Sequence, residues 1–236
     1  VAVGQGALLA NTEGLVNTAI GAEALDANTT GDKNVAIGKG ALSANTTADA
    51  NVAIGWDALL ANTTGSENTA VGAQALTNAV TDDANTAIGY RALESCNGGQ
   101  YNVAVGSRTL EDTTTGDYNI AMGYNALHNN TTANDNVAVG HEALLTATTA
   151  ASNTAVGHQS LYTVNGDGSS GSNNTVIGRK AGYNMSTGYR NVCVGNNAGE
   201  RITTGYQNTA VGIIAMYSTG QTVYNITEIG YIAQCP

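Results

Sequence analysis

The stretch Asn17–Gly65 reads NTAIGAEALDANTTGDK-NVAIGKGALSANTTADA-NVAIGWDALLANTTG, one 17-residue pattern met nearly three times in succession. Outward from it, a glycine preceded by Val, Ile or Met recurs at Gly4, Gly21, Gly38, Gly55, Gly72, Gly89, Gly106, Gly123, Gly140 and Gly157, always 17 residues apart. The series goes on at Gly178, Gly195, Gly212 and Gly230, with steps of 21, 17, 17 and 18. Fourteen coils therefore cover nearly the whole chain.

Counting from each glycine gives the rules. The residue before it is Val or Ile in every coil except at Met122, and two before it stands Ala in eleven of fourteen. Four before it stands Asn, as in Asn34, Asn51, Asn68, Asn85 and Asn102, with Ile226 breaking the column. Ala follows three after the glycine in all but Thr109 and Ser160, and Leu four after it through the first ten coils. A period of 17 is too short for two packed helices and fits one coil of a solenoid. The β-branched segment before the glycine favours strand, the glycine permits a corner, and N-T-T-G supplies a second turn. The Ala-Leu stretch predicts either a second short strand or a single helical turn, which Ala and Leu slightly favour. The fold expected is all-β, a β-solenoid or β-roll of about fourteen 17-residue coils. Stacked at one strand spacing each, they would rise roughly 65 Å.

Stacking turns sequence spacing into columns. Residues 17 apart lie above one another, so the asparagines should form a ladder, each amide donating to a carbonyl of the next coil. Strand side chains alternate between faces. Ala36 then points into the coil while Val35 and Ile37 point out, and neither face carries charge. Such two-sided apolar character marks a strand covered on both sides. The outer column Ile37, Ile54, Val71, Ile88 and Val105 is thus expected to face identical columns of sister chains in a homo-oligomer wound about an apolar axis.

Composition agrees with a repeat rather than a conventional globule. The 236 residues include no Phe, one Pro and 30 Gly, and charged residues make up 11%. The net charge of −10 argues against non-specific binding to nucleic acid or anionic lipid. No apolar run approaches the ~20 residues of a membrane span. Cys96, Cys193 and Cys235 form no disulfide framework and no CxxC pair. The chain opens with Val1 inside a motif, as a fragment or processed product would.

The N-[TV]-A-[VI]-G pentad, in NTAIGAEAL, NVAIGKGAL and NTAVGAQAL, resembles the head repeats of trimeric autotransporter adhesins of the YadA-like family. NTVIGRKAGYNMSTGYRN and NVCVGNNAGERITTGYQN look like repeats of bacteriophage tail fibres that precede an endosialidase-type intramolecular chaperone. The resemblance covers about residues 1–217. It implies a left-handed β-roll, a homotrimer and attachment to a cell surface, hence an extracellular place on a virion tail fibre or a bacterial surface. The autotransporter repeat is usually shorter than 17, and no chaperone sequence follows Pro236.

Four sections follow from the pattern: regular coils over 1–165, a Gly/Ser insertion over 166–173, Tyr- and Arg-richer coils over 174–217, and a cap or junction over 218–236. Residues 1–173 carry a net −12 and residues 174–236 a net +2, and six of the eleven tyrosines lie beyond residue 173. Beyond the insertion the Leu column becomes Gly182 and Gly199, so the coil is expected to alter there. Tyr189 and Tyr206 fall one coil apart in matching turns, with Arg190 beside the first. Together with Tyr183 they are the candidate contacts for a cell-surface glycan, since rings stack on sugar faces and Arg donates to hydroxyls or carboxylates. A stiffening tyrosine ladder is the alternative.

Other candidates are thinner. His141 and His158, one coil apart with Glu142 adjacent, are weak metal candidates. Asp32, Asp49, Asp83 and Asp117 share a corner where calcium or plain solvent would suit the carboxylates. The NTT triplets at Asn28, Asn45 and Asn62 match the glycosylation sequon, which turn chemistry explains equally well. No cofactor is implied. The acids are scattered and no Ser/His/Asp set stands out, so the reading is a non-enzymatic fibrous adhesion protein. A glycan-active enzyme on a repeat scaffold and an ice-binding solenoid are the rivals, the latter on the Thr29, Thr46, Thr63, Thr114 and Thr131 column.

Overall fold

A computed structural model of the chain describes residues 1–166, 169–217 and 222–232. The chain divides into two units, Val1–Asp117 and Tyr118–Pro236. The first holds β1 (Ala2–Val3), β2 (Thr18–Ile20), β3 (Val35–Ile37), β4 (Val52–Ile54), β5 (Thr69–Val71), β6 (Thr86–Ile88) and β7 (Val103–Val105). The second holds β8 (Ile120–Met122), β9 (Val137–Val139), β10 (Thr154–Val156), β11 (Thr175–Ile177), β12 (Val192–Val194), β13 (Thr209–Val211) and β14 (Thr227–Ile229). Within each unit every strand pairs in parallel with the next, residue on equivalent residue, as in Ala36↔Ala53 and Ala138↔Ala155. The fold is an all-β parallel solenoid of about fourteen coils. The insertion leaves the register untouched: Thr154 pairs with Thr175 across a 21-residue step.

The strand faces divide as alternation requires. The middle Ala is buried from β2 onward, among them Ala19, Ala36, Ala53 and Ala70, and the Leu column from Leu25 to Leu161 is buried beside it. The outer residues are half-buried or exposed, with Ile88 at 40% and Ile54 at 36%. The corner glycines share a left-handed conformation, and most are also fixed by contact. At Gly123 φ is +130°, and an added Cβ would lie 2.6 Å from the carbonyl oxygen of Gly140, one coil on.

The Ala-Leu stretch is neither of the expected forms. There is no helix among the described residues, and Leu25, Leu42, Leu59 and Leu76 have φ between 51° and 53°. The left-handed backbone breaks both helix and strand and turns the chain tightly. Two N–H groups per turn still reach the next coil, as from Leu42 to the Ala58 carbonyl at 3.0 Å and from Ala44 to the Leu60 carbonyl at 3.2 Å. A left-handed L-residue costs roughly 1–2 kcal/mol, while burying a Leu side chain contributes about 1.5–3 kcal/mol. Burial prevails.

Beyond the insertion the coil keeps its three-residue strands, and what changes is the source of the core. Gly182 and Gly199 sit in the Leu column at φ +57° and +62°, relieved of that strain. Met185 and Ile202, both buried, fill the space from the column that holds Asn28 and Asn45 earlier. Val176 and Cys193 add bulk where other coils have Ala.

The asparagine ladder forms as expected and does more. Nδ2 of Asn34, Asn51, Asn68, Asn85 and Asn102 donates to the carbonyl fourteen residues on, at 2.6–2.8 Å. The Oδ1 of Asn34, Asn51, Asn68 and Asn85 accepts the backbone N–H of the Asn one coil on, at 2.9–3.0 Å. All five are fully buried.

Candidate functional site

The tyrosine-bearing coils of the second unit build the most distinctive surface. Tyr189, Tyr206 and Tyr224 stand one coil apart, joined by parallel backbone bridges. Their rings stack with centroids 4.9 and 5.4 Å apart and nearly parallel planes. The Arg190 guanidinium lies 5.9 Å from the Tyr189 ring. Tyr183 belongs to a different corner, where it stacks on Tyr162 at 4.9 Å and meets the Lys180 ammonium at 5.1 Å. The four expected glycan contacts are therefore two groups, Tyr189–Arg190–Tyr206 and Tyr183 apart from them. Tyr206 has a ring against each face, so a sugar cannot stack upon it without parting the ladder. What the column offers is ring edges, with Tyr224 the most open at 58% exposure. Arg190 and Gln207 are exposed along one flank, and Thr204 and Thr222, hydrogen-bonded at 2.9 Å, along the other.

His141 and His158 are brought together, with ring centroids 5.1 Å apart and planes 15° from parallel. Tyr124 stacks beyond His141 at 5.4 Å, and His141 Nδ1 lies 3.7 Å from Glu142. Imidazole lone pairs lie in the ring plane, so two rings stacked face to face do not converge on one ion. No cluster of three or more His, Cys, Asp or Glu suited to a metal occurs among the described residues.

The acidic corner is structural. Asp32 accepts the Leu15 N–H at 2.6 Å, Asp49 that of Asp32 at 2.7 Å, Asp83 that of Ser66 at 2.7 Å and Asp117 that of Gln100 at 2.7 Å. Each carboxylate closes a backbone donor of the coil before it. Sequence reasoning saw the column and missed this use. Beyond the insertion the same column carries Tyr189, Tyr206 and Tyr224.

The N-T-T triplets also turn inward. Asn28, Asn45 and Asn62 are buried, and their Nδ2 atoms donate to Oδ1 of the Asn one coil back at 2.7, 2.8 and 3.1 Å. The sequon nitrogen is thus held inside the coil. Thr29, Thr46, Thr63 and Thr131 direct their hydroxyls to the next coil's carbonyl at 3.0–3.2 Å. They zip the stack together rather than presenting a free donor array.

Charged chemistry in the first unit gathers at Arg91, Glu94, Arg108 and Glu111. Arg108 pairs with Glu111 at 2.6 Å, and Arg91 bridges Glu94 and Glu111 at 3.6 Å each. Burial raises the Glu94 carboxyl, against the lowering effect of Arg91. Nearby in sequence, Asp82 is buried, accepts the Val80 N–H at 3.0 Å and that of Gly98, and sits 4.0 Å from the Cys96 sulfur. Burial holds its carboxyl above the usual range. The Cys96 and Cys193 thiols are buried and pushed up to about 12, chiefly by desolvation. Cys235 lies outside the described residues.

No family model, curated protein or solved structure matches the chain.

Proposed function

We propose that the chain is a non-enzymatic, fibrous attachment protein: a shaft and receptor-binding segment of a phage tail fibre or surface adhesin, placed outside the cell. One observation carries this reading. The outward positions of the fourteen strands, one and three residues before each corner glycine, hold only Val, Ile, Thr or Met, with no charge in any coil. Ile20, Ile88, Ile120 and Met122 among them are 40–43% exposed. At about 25 cal/mol per Å² of apolar surface, a ridge of this kind in each unit favours being covered. Identical ridges of sister chains are the simplest cover, and three chains enclose an axis. Rigid multivalent display then multiplies weak contacts.

The contact surface is the Tyr189–Tyr206–Tyr224 ladder, read through its edges: a row of phenol hydroxyls one coil apart, beside Arg190, for hydroxyls or carboxylates of a surface glycan. A glycan array probed with the wild type and with Tyr189→Ala/Tyr206→Ala tests this. Binding lost by the variant at unchanged circular dichroism supports the assignment. Equal binding returns the tyrosines to a stiffening role.

A further inference from the structure

The residues that follow the corner glycines form a column of their own, which in the first unit runs through Lys39, Trp56, Ala73, Tyr90 and Ser107. Backbone bonds keep it in register: the Gln74 N–H donates to the Trp56 carbonyl at 2.9 Å and the Arg91 N–H to the Ala73 carbonyl at 3.1 Å. Trp56 is 51% exposed and Tyr90 46%. Where adjacent coils both carry a ring in this column the rings stack, as Tyr124, His141 and His158 do at 5.4 and 5.1 Å in the second unit. Trp56 and Tyr90 are two coils apart, and the column residue between them is Ala73, with a single methyl group. Gln74 and Arg91 flank this place. Arg91 Nε donates to Gln74 Oε1 at 3.2 Å, and its guanidinium lies 5.2 Å from the Tyr90 ring centroid. Gln74 Nε2 and Arg91 Nη2 meet no partner among the described residues.

We propose that Trp56 and Tyr90 are the walls, and Ala73 the floor, of a slot that binds one pyranose ring of a saccharide. Two strand spacings set the coils of the walls about 9.6 Å apart. A flat aromatic ring in contact on both faces needs only about 7–8 Å, two carbon–carbon separations of 3.5–4.0 Å. A pyranose is puckered and carries axial C–H groups, so it is the thicker guest and the better fit. Its C–H faces meet the electron-rich faces of the two rings. Its rim of hydroxyls meets the donors Gln74 Nε2 and Arg91 Nη2. None of these residues belongs to the tyrosine ladder, and the slot does not rest on the reading given to that ladder.

Trp56 is the one tryptophan of the chain, so its fluorescence reports on the slot. The full chain is titrated with the methyl glycosides of glucose, galactose, mannose and N-acetylglucosamine, each to tens of millimolar, and with N-acetyltyrosinamide as a flat-ring guest. At least one glycoside should shift the emission to shorter wavelength and slow acrylamide quenching, both saturably. Ala73→Tyr fills the slot and should abolish this response, while Tyr90→Ala removes a wall and should weaken binding about tenfold. Ala22 and Tyr124 hold the same column position in other coils, so both variants should keep the circular dichroism of the wild type. A wild type that answers no glycoside overturns the proposal, and so does a glycoside response that both variants retain in full. A response to N-acetyltyrosinamide alone assigns the slot to an aromatic side chain and overturns it too. The array comparison of Tyr189→Ala/Tyr206→Ala is read at other residues, so either test can fail alone.

Discussion

Asn62 and Ala79 sit one coil apart in the column where Asn11, Asn28, Asn45 and Asn62 pass an amide hydrogen bond from coil to coil, and Ala79 ends the relay. The Oδ1 of Asn62 is buried and has no hydrogen-bond partner among the described residues. The space left by the shorter side chain is taken by Asp82, at a position that is Gly31, Ala48 and Gly65 in the coils before it. Carboxamide and small residue have exchanged places for alanine and carboxylate.

That exchange predicts strong coupling. Ala79→Asn alone crowds the carboxylate and should destabilise by about 1–3 kcal/mol. Asp82→Gly alone strips the Val80 and Gly98 N–H groups of their acceptor. The double variant rebuilds the relay onto Asn62, and chemical denaturation should show it more stable than the two single effects predict, by at least about 1 kcal/mol.

The same pair gives a pH signature. Burial raises the folded-state carboxyl of Asp82 above the ordinary aspartate value of 3.8. The fold therefore holds this proton more tightly than the unfolded chain, and the associated stability is lost as pH rises from that value through the raised one. Ala79→Asn/Asp82→Gly lacks the group, so its stability relative to wild type should increase across that interval. Denaturation midpoints at a series of pH values check the sign; a difference that shrinks with rising pH contradicts it.

Asn85→Ala should be among the costlier single substitutions outside the glycine corners. It leaves the Asn102 N–H and the Gly99 carbonyl buried without their 2.9 and 2.8 Å partners. At about 1–3 kcal/mol for each stranded group, a loss of roughly 2–5 kcal/mol is expected by urea denaturation.

In a Cys235→Ser background, neither Cys96 nor Cys193 should react with a thiol reagent at neutral pH while the protein is folded. Both are buried, with thiols pushed up to about 12. Modification should follow unfolding, with the two thiols released together if the chain opens in one step and one after the other if the two units open separately.

Much of this was legible because stacking converts a period into a contact map. The 17-residue step, the inward Ala-Leu columns and the outward Val/Ile split needed only alternation and burial. The Asn34–Asn102 ladder followed from a polar column with no exposed place to go. The left-handed Leu backbone was not legible, since Leu prefers helix by itself and only the closed coil imposes φ near +52°. Nor were the Asp32 and Asp83 caps, because an acidic corner reads alike whether a carboxylate meets water or a backbone N–H one coil back. The Met185-for-Leu exchange hid for a related reason: it conserves core volume across two columns, and a single column shows only the loss.

The account rests on the outward aliphatic columns being hidden by other copies of the chain. Sedimentation equilibrium of the wild type at micromolar concentration tests this directly, beside Ile88→Asp, which puts a charge on the ridge. The prediction is three times the 23.8 kDa chain mass for the wild type and a return toward 23.8 kDa for the variant. A folded wild-type protein sedimenting at 23.8 kDa would contradict it.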